Sequence, residues 1–462
     1  MAPAGGLFVS KSQAPPPSVR KSEVKGGGLP APVPSARRAL LWMFLVALLL
    51  RLAVAVVMYS DFLDPARNYW HFGWEAGQIA TSLYNHQGFS APFFQSTGST
   101  ALLPPVYPWL MMLCMRLFGV HNAGSALAIL SLNGLFASLT VLPVYFMARR
   151  VFGERTARAA GWTWAFFPFS IYLASGRMWV DTLTCFTACL ILLQTLRLAD
   201  KSAWHDWLLW GGLWGIGALV SPVLLGPLPF LALWLVVRRQ RTGSRWFAPA
   251  LLSALVFMAV IAPWTVRNYR TLHLVMPVRD GFWLGVHEGN CGDTSNLQPD
   301  SADPSTSEAE HAQWVRLGEI GYLDAKKAEA KRFIREHSVF TAWVTLRRVI
   351  YTWTGFWSLD RAFLADEPFH IPYVAFTTTM SALLLLGLRY AGLSQARALL
   401  MPFLLELITF PVIFYVTHPS MDYRHPLDPI IVIFGCYAVV EWLRQRAEGK
   451  LLRNSVGSKS AA

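Results

Sequence analysis

Long apolar runs separated by short polar loops dominate the chain from residue 39 onward. The first run, "ALLWMFLVALLLRLAVAVVMY" over residues 39–59, has the length of roughly 20 residues that a helix needs to cross a bilayer. Nine further segments repeat the pattern. The predicted spans lie near residues 39–59, 123–147, 157–174, 180–197, 206–221, 222–237, 247–263, 372–389, 398–416 and 429–443. The pattern predicts an all-α polytopic membrane protein with about ten transmembrane helices.

The composition agrees with this interpretation. Of the 462 residues 54% are hydrophobic and 15% are charged, whereas about 25% of the residues in a typical soluble protein are charged. Residues 1–38 differ, because they contain Pro and Gly clusters and no apolar period, so they are predicted to be a disordered tail. The first apolar run is longer than a signal-peptide core and no small-residue cleavage site follows Tyr59. We therefore expect it to remain as the first helix.

Basic residues indicate which ends of the spans face the cytoplasm. The net charge is +13, and much of it lies where loops meet helices, in segments 148–158, 238–246 and 444–462. The positive-inside rule places such short loops in the cytoplasm, which disfavours nucleic acid as the reason for the charge. Ten spans then put both termini inside. The prediction is a membrane domain over residues 39–443 between cytoplasmic tails 1–38 and 444–462.

The five cysteines indicate neither a metal site nor a disulfide framework. They are Cys114, Cys185, Cys189, Cys291 and Cys436, and no pair has the spacing of a metal-ligand motif. Arg51 falls inside the first predicted span and Glu406 inside the ninth. Such groups pair with each other or face the bundle interior, and the sequence assigns neither a role.

Two long segments remain on the outer side, at about 60–122 and 264–371. The first contains "LLPPVYPWLMMLCMRLFG", which is too short and interrupted to span and is expected along the membrane interface. The second contains a polar stretch, a charged helix and "WVTLRRVIYTWTGFW", whose aromatic residues and two arginines suit a membrane surface. Interfacial helices are therefore expected in both segments.

The first outer segment carries the carboxylate of most interest, Glu75. In "HFGWEAGQIATSLYNHQGFS" helical spacing groups one polar and one apolar face. The polar face has Glu75, Gln78 and Ser82, and the apolar face has Phe72, Ala76, Ile79, Ala80 and Leu83. A solvated side chain is the simpler interpretation of a lone acid on such a helix; a reactive group is the alternative.

Three more polar clusters fall at the predicted outer ends of spans. They are Asp181 in "SGRMWVDTLT", then Arg267, Asn268 and Arg270 in "PWTVRNYR", and His418, Asp422, Tyr423, Arg424 and His425 in "THPSMDYRHPLDP". Asp181 has the alternative role of favouring a helix dipole, and the arginines that of reaching lipid headgroups. Arg and His beside a proline-bounded turn make a compact anion site. The four clusters are expected to converge at the outer mouth of the bundle.

The order of these motifs resembles a known family. "GWEAGQIATSLYNHQGFS", "GSTALLPPVYPWLMMLCMRLFG", "PWTVRNY" and "YRHPLDP" follow one another as in the C-type integral-membrane glycosyltransferases, in the protein-mannosyltransferase-like and aminoarabinose-transferase-like branch. The resemblance covers most of residues 39–443. It implies transfer of a sugar from a polyprenyl-phosphate carrier to a lipid, glycan or protein acceptor at the outer, periplasmic or lumenal, face, in a bacterial inner membrane.

The family's first outer loop frequently carries an Asp followed by a second acid. Here Trp74 and Glu75 occupy that position, so one acid stands where two are usual, and Asp61 and Asp64 are alternative candidates for the base. No cofactor is required by the sequence. A divalent cation would suit the chemistry, with Asp181 as its candidate ligand, but no ligand cluster compels one.

The residue types fit the implied reaction. A carboxylate within reach of an acceptor hydroxyl removes its proton, which is the role predicted for Glu75, with Asp181 as a second catalytic candidate. Arg and His donors stabilise the charge on a leaving lipid phosphate. Substrate binding is accordingly predicted for Arg267, Asn268, Arg270, His418, Tyr423, Arg424 and His425.

Direct displacement with a single base predicts inversion at the anomeric carbon. The main rival function is a multi-span transporter or flippase, and a glycan polymerase or ligase shares the lipid-phosphate chemistry. A structural assembly protein would not need the four outer clusters. The sequence does not identify the sugar.

Overall fold

The computed structural model describes residues 34–67, 72–95, 97–200, 203–292, 302–355, 370–394, 398–418, 420 and 422–460. These residues form an all-helical protein, in which the extended pairing is a single bridge between Ser90 and Ser99. The α-helices, numbered α1 to α18 in chain order, are Pro34–Met58, Trp74–Tyr84, Val106–Phe118, Ala123–Leu139, Val141–Phe152, Glu154–Ala165, Pro168–Gly176, Asp181–Leu198, Trp204–Val220, Leu228–Arg241, Phe247–Leu272, Phe282–Gly289, Glu308–Glu336, Ser338–Thr354, His370–Gly392, Met401–Thr409, Val412–Val416 and Asp428–Ser460. Short 3₁₀ helices occupy Tyr59–Phe62, Pro222–Leu225 and Asp422–Leu427.

The predicted polytopic helical fold is confirmed. Within the described part of the chain, seven helical segments are long and apolar enough to cross a membrane by length and composition. They are Ala36–Phe62, Ala123–Phe152, Asp181–Leu198, Pro222–Arg241, Phe247–Leu272, Ile371–Gly392 and Asp422–Gly449. The other three predicted spans coincide with the pair α6 and α7, with α9, and with the pair α16 and α17. The count of ten spans stays a prediction.

The helices at both ends of the chain extend into the predicted tails. Helix α1 begins at Pro34, five residues before the predicted span, and residues 1–33 lie outside the described chain. At the other end, α18 continues to Ser460. The predicted cytoplasmic tail after residue 443 is therefore helical over its described part.

Close helix crossings depend on small residues. A Cβ atom at Gly211 of α9 would lie 2.3 Å from the backbone oxygen of Ser253 in α11, and one at Gly215 would lie 2.6 Å from Cβ of Val260. Neither distance is sterically allowed, so only glycine lets α9 and α11 approach this closely. Because of this close crossing, the end of α9 lies at the polar region described below.

A buried arginine stabilises the break between α6 and α7. Arg51 in α1 is fully buried and donates hydrogen bonds to the carbonyl oxygens of Trp164 and Ala165 and to Oγ of Ser170. The last carbonyls of a helix have no partner within that helix, and the guanidinium supplies it here. Arg51 thus faces the bundle interior, and Glu406 is buried as well.

The two predicted cytoplasmic loops meet at one end of the bundle. Arg150, at the end of α5, and Arg238, in α10, both pair with Asp200, the latter at 3.8 Å. Asp200 follows the end of α8. The opposite end of this 18-residue helix begins at Asp181, about 27 Å away at 1.5 Å per residue.

Helices α2 and α3 pack together beside that opposite end. On α3, Tyr107, Met111 and Met115 are buried, whereas Trp109 and Leu117 are exposed. This one-sided burial fits the predicted interfacial position. On the predicted apolar face of α2, Ala76, Ile79 and Ala80 are buried and Leu83 is half-buried, but Ser82 from the predicted polar face is buried too. Helix α2 is therefore covered over more of its circumference than its pattern predicts.

Candidate active site

A cavity of about 370 Å³ lies at the Asp181 end of α8. Its wall comes from α2, α3, the start of α8, the end of α9, α12, α17 and the 3₁₀ helix Asp422–Leu427. Its polar and titratable lining residues are Tyr107, Asp181, Thr184, Ser221, Arg279, Thr417, His418, Asp422 and Tyr423. Both long segments that are predicted to be on the outer side, and the last predicted outer turn, thus contribute to one cavity.

An unusual backbone turn places Glu75 beside this cavity. The three residues before it, Phe72, Gly73 and Trp74, have φ values of 61°, 102° and 50°, in the left-handed region that is costly for residues other than glycine. A Cβ at Gly73 would lie 2.9 Å from the backbone oxygen of Met178. The turn is therefore fixed against the start of α8, and Glu75 follows it in the first turn of α2.

The surroundings of Glu75 favour its protonated form. The carboxyl is half-buried, and burial, followed by the negative charge of Asp303, raises its pKa to about 8. Glu288 acts in the same direction and Arg279 opposes it. A carboxyl with a pKa near neutrality is suited to exchanging a proton with a bound substrate. Ala76, the next residue, lines the cavity.

Asp181 belongs to a buried charge cluster on the cavity wall. NH1 of Arg177 lies 2.9 Å from Oδ1 of Asp422, and both side chains are almost fully buried. Asp181, which also lines the cavity, lies within electrostatic range of both. The backbone oxygen of Arg177 accepts a hydrogen bond of 3.0 Å from Nδ2 of Asn133. The arginine is thereby held from both its main chain and its side chain.

His418 connects two further polar groups at the cavity. Its Nδ1 lies 3.0 Å from Oε2 of Glu288, and its Nε2 lies 2.8 Å from the hydroxyl oxygen of Tyr423. Glu288 lies in the last turn of α12 and is 5% exposed, whereas His418 and Tyr423 line the cavity. The three side chains come from segments 130 residues apart in the sequence and are joined by one ion pair and one hydrogen bond.

Arg279 brings a positive charge to the cavity wall. Its side chain is exposed and lines the cavity, and it acts electrostatically on both Glu75 and Tyr423. Among the described residues it forms no salt bridge, in contrast to Arg177. A cation of this kind is available to an anionic ligand.

The cluster at residues 267–270 supports the first outer segment instead of lining the cavity. Arg267 donates hydrogen bonds of 2.6 Å to the backbone oxygens of Thr100 and Phe89. Asn268 is buried and donates to the backbone oxygens of Met276 and Val278. Arg270 is exposed. The substrate-binding roles predicted for these three residues stay predictions.

Arg424 and His425 are turned into the protein. Nε of Arg424 lies 3.2 Å from Oδ1 of Asp428 and Nδ1 of His425 lies 3.1 Å from Oδ2 of the same carboxylate. All three side chains are buried, and the imidazole is stacked on Trp164 with 5.6 Å between the ring centroids. Neither Arg424 nor His425 is among the residues that line the cavity.

The alternative bases lie elsewhere. Asp61 and Asp64 are on the surface, where both pair with Arg67, at 3.0 and 3.8 Å. For a metal ion, the part of the chain that the structure describes holds no group of three or more His, Cys, Asp or Glu side chains placed as ligands. Asp181, the candidate ligand, has Arg177 and Asp422 as neighbours, so the residues present do not fit a metal centre.

Four residues of this region escaped the sequence reasoning: Arg177, Arg279, Glu288 and Asp303. Arg177 stands four positions before Asp181 in "SGRMWVD", but residues 177–180 lie between α7 and α8, so helical spacing gives no signal for the two side chains. The other three lie in a polar outer segment rich in charged residues, where no periodicity separates a buried carboxylate from a solvated one.

Comparisons with known proteins agree with the sequence resemblance. The family model described as "Dolichyl-phosphate-mannose-protein mannosyltransferase" matches residues 103–266. No curated protein matches the chain.

Two kinds of solved structure are similar. The oligosaccharyltransferase AglB of Archaeoglobus fulgidus, in complex with an inhibitory peptide and a dolichol-phosphate, has 13% identity and a TM-score of 0.48 over 90% of this chain and 52% of its own. ArnT of Cupriavidus metallidurans bound to undecaprenyl phosphate has 16% identity and a TM-score of 0.35 over 85% of this chain and 77% of its own. The chain thus spans about half the length of AglB.

The matched residues 103–266 run from the segment before α3 into α11. They include Tyr107, Asp181 and Ser221 of the cavity wall. About a third of the chain is thus similar to the family described as "Dolichyl-phosphate-mannose-protein mannosyltransferase".

Proposed function

We propose that this membrane glycosyltransferase moves a sugar from a polyprenyl-phosphate carrier to a hydroxyl of a lipid, glycan or protein acceptor at the outer face of a bacterial inner membrane. The observation that carries the proposal is the presence of two groups at and next to one cavity: Arg279 lines it, and Glu75 directly precedes Ala76, which lines it. Glu75 is a carboxyl whose pKa is raised to about 8, and Arg279 is a cation on the cavity wall. The Glu75 carboxylate can accept a proton, and the Arg279 guanidinium can bind a phosphate.

Arg279 is the group best placed to bind the carrier phosphate. Phosphate oxygens prefer the bidentate donors of a guanidinium, and the guanidinium of Arg177 is already engaged with Asp422 at 2.9 Å. Arg424 faces Asp428 at 3.1 Å, so we assign it a supporting role in the fold of the last outer turn. The donor phosphate therefore lies against Arg279 in this proposal.

The reaction is a direct displacement. The acceptor hydroxyl attacks the anomeric carbon while Glu75, in its ionised form, takes the hydroxyl proton. The bond between the anomeric carbon and the phosphate oxygen breaks, and its electron pair stays on the phosphate, where Arg279 stabilises the added charge. A single displacement inverts the anomeric configuration. Asp181, with Arg177 and Asp422, holds the polar wall on the far side of the sugar.

Sugar release tests the proposal. Purified protein in detergent is incubated with a panel of labelled polyprenyl-phosphate sugars and a membrane extract as the source of acceptor, and the products are separated as free sugar, donor lipid and new conjugate. Arg279→Gln should lower turnover about tenfold to a hundredfold, the cost of one charged hydrogen bond of about 1.5–3 kcal/mol, and Arg279→Lys should lower it less.

Arg316→Gln is the matched control, because Arg316 is an exposed arginine of α13 and should keep parental turnover. Equal turnover of the Arg279→Gln and parent proteins, at equal protein levels, would remove Arg279 from the phosphate site. Recovery of every donor unchanged after reconstitution in vesicles, but on the opposite leaflet, would support the flippase alternative instead.

A further inference from the structure

The guanidinium of Arg279 lies directly against Gly281 at the cavity wall. A Cβ atom at Gly281 would lie 2.4 Å from Nη2 of Arg279 and 3.2 Å from its Cζ. The first distance is shorter than close-packed side chains allow, so the guanidinium occupies space that any side chain at position 281 would need. Both residues line the cavity.

The backbone on the N-terminal side of Arg279 is anchored to α11. The backbone oxygen of Val278 accepts hydrogen bonds from Nε1 of Trp264, at 2.8 Å, and from Nδ2 of Asn268, at 3.2 Å. Asn268 is fully buried, and a buried amide that loses its partner is costly. The residue before Arg279 is therefore held in place by the end of α11.

The backbone on the other side of Arg279 is anchored to Ala101 and, through it, to α13. The amide nitrogen of Asp280 donates a hydrogen bond of 3.3 Å to the backbone oxygen of Ala101. The amide nitrogen of Ala101 in turn donates one of 2.7 Å to Oε1 of Glu319 in α13. Because the backbone is fixed on both sides of Arg279, a side chain added at Gly281 would displace the flexible guanidinium and leave the backbone in place.

The backbone conformation does not by itself require glycine at position 281. Gly281 has a φ of −64° and a ψ of 8°, outside the left-handed region that favours glycine. Besides Arg279, the added Cβ would approach the end of one more side chain, Cδ1 of Leu102, at 3.1 Å. The missing side chain therefore has its main consequence for the position of Arg279.

We propose that Gly281 is a positioning residue that, by having no side chain, lets the Arg279 guanidinium lie where it binds the carrier phosphate. The inference rests on the proposed function, since it names what positions the phosphate-binding group of that reaction. A methyl group at position 281 would move the guanidinium without removing its charge. Bidentate binding of phosphate depends on the direction of the donors as well as on the charge, so the displaced guanidinium should bind the phosphate less well.

Gly281→Ala, made in the parent and in Arg279→Gln, tests this inference. The readout is kcat/KM for the active polyprenyl-phosphate sugar in detergent. In the parent, Gly281→Ala should lower kcat/KM about fivefold to tenfold, part of the loss expected from removing a charged hydrogen bond. In Arg279→Gln the added methyl group has no guanidinium to displace, so the further loss should be less than about twofold. Positions that act independently would give equal losses in both backgrounds, to within about twofold.

Arg279→Lys gives a third background and a readout that a purely structural role of Gly281 does not affect. The lysine side chain ends near the place of Cζ, 3.2 Å from the added Cβ, and does not reach the place of Nη2 at 2.4 Å. Gly281→Ala should therefore cost less in Arg279→Lys than in the parent, and least in Arg279→Gln. The Tm of Gly281→Ala should stay close to that of the parent, because the side chain of Arg279 is exposed and free to move.

Gly321→Ala is the matched control. Gly321 is an exposed glycine of α13, and a Cβ there would lie at an ordinary contact distance of 3.4 Å from Cβ of Leu317. This substitution should leave kcat/KM unchanged in all three backgrounds.

Two results would overturn the inference alone: parental kcat/KM in Gly281→Ala, or an equal loss from Gly281→Ala in the parent and in Arg279→Gln. Parental turnover of Arg279→Gln would show that Arg279 does not bind the phosphate, and absence of turnover with every polyprenyl-phosphate sugar would overturn the proposed function; either result overturns this inference as well. The failures are therefore distinguishable by the activities of the parent and Arg279→Gln proteins.

Discussion

The raised pKa of Glu75 makes the pH dependence of turnover a direct test of its role as the base. A general base works only in its ionised form. With a pKa of about 8, about one-eleventh of the carboxyl groups are ionised at pH 7 and about ten-elevenths at pH 9. Turnover of saturated enzyme should therefore rise about tenfold between these pH values if proton removal limits the rate.

Two substitutions at and beside Glu75 sharpen this prediction. Glu75→Gln keeps the shape but cannot take a proton, so it should lose on the order of a hundredfold in turnover together with the rise between pH 7 and pH 9. Asp303→Asn removes the charge that, after burial, contributes most to raising the Glu75 pKa. The midpoint of the profile should then move to lower pH, while the plateau at high pH is kept.

Single-turnover release of labelled sugar in detergent, at saturating donor, is the suitable assay, because product release does not mask the chemical step. Glu308→Gln, which replaces an exposed carboxylate at the start of α13, serves as the control, with an unchanged profile expected. A parent profile that is flat between pH 7 and pH 9, or a Glu75→Gln variant as active as the parent, would refute the assignment. The search for the base would then move to Asp181, Asp61 and Asp64.

The remaining predictions concern stability and topology. Burial raises the pKa values of Asp280 and Glu319, so the folded protein binds more protons at these groups than the unfolded chain, and thermal stability in detergent should fall as the pH rises above the ordinary carboxyl range. Glu319→Gln should flatten that dependence, and an unchanged slope would contradict the assignment. Arg424→Ala leaves the buried Asp428 without its guanidinium partner and should destabilise the fold by about 3–5 kcal/mol, measured as a lower Tm; an unchanged Tm would show that the pair is not structural. A reporter fused after Gly243 should be cytoplasmic and one in the second long outer-side segment should be external, and the reverse result would invert the orientation of the cavity.

Much of the fold was predictable because it depends on local pattern. Apolar runs of membrane-spanning length and the 3.6-residue period of α2 are local features that span a few turns of helix, and the sequence shows them directly. Asp181 was singled out from its place at the start of a predicted span, and it does begin α8 on the cavity wall. The basic loops were grouped by charge, and Arg150 and Arg238 do meet at Asp200.

Which polar groups face the cavity was decided by tertiary packing. Tyr423 and Arg424 are neighbours in "DYRHP". In the 3₁₀ helix, however, the guanidinium of Arg424 lies against Asp428 inside the bundle, whereas Tyr423 lies at the cavity wall. Glu288 becomes a partner of His418 only because Gly289 lets α12 touch the backbone at Thr417. Spacing along the chain fixes directions within one helix, whereas contacts between segments more than a hundred residues apart depend on how closely their backbones pack.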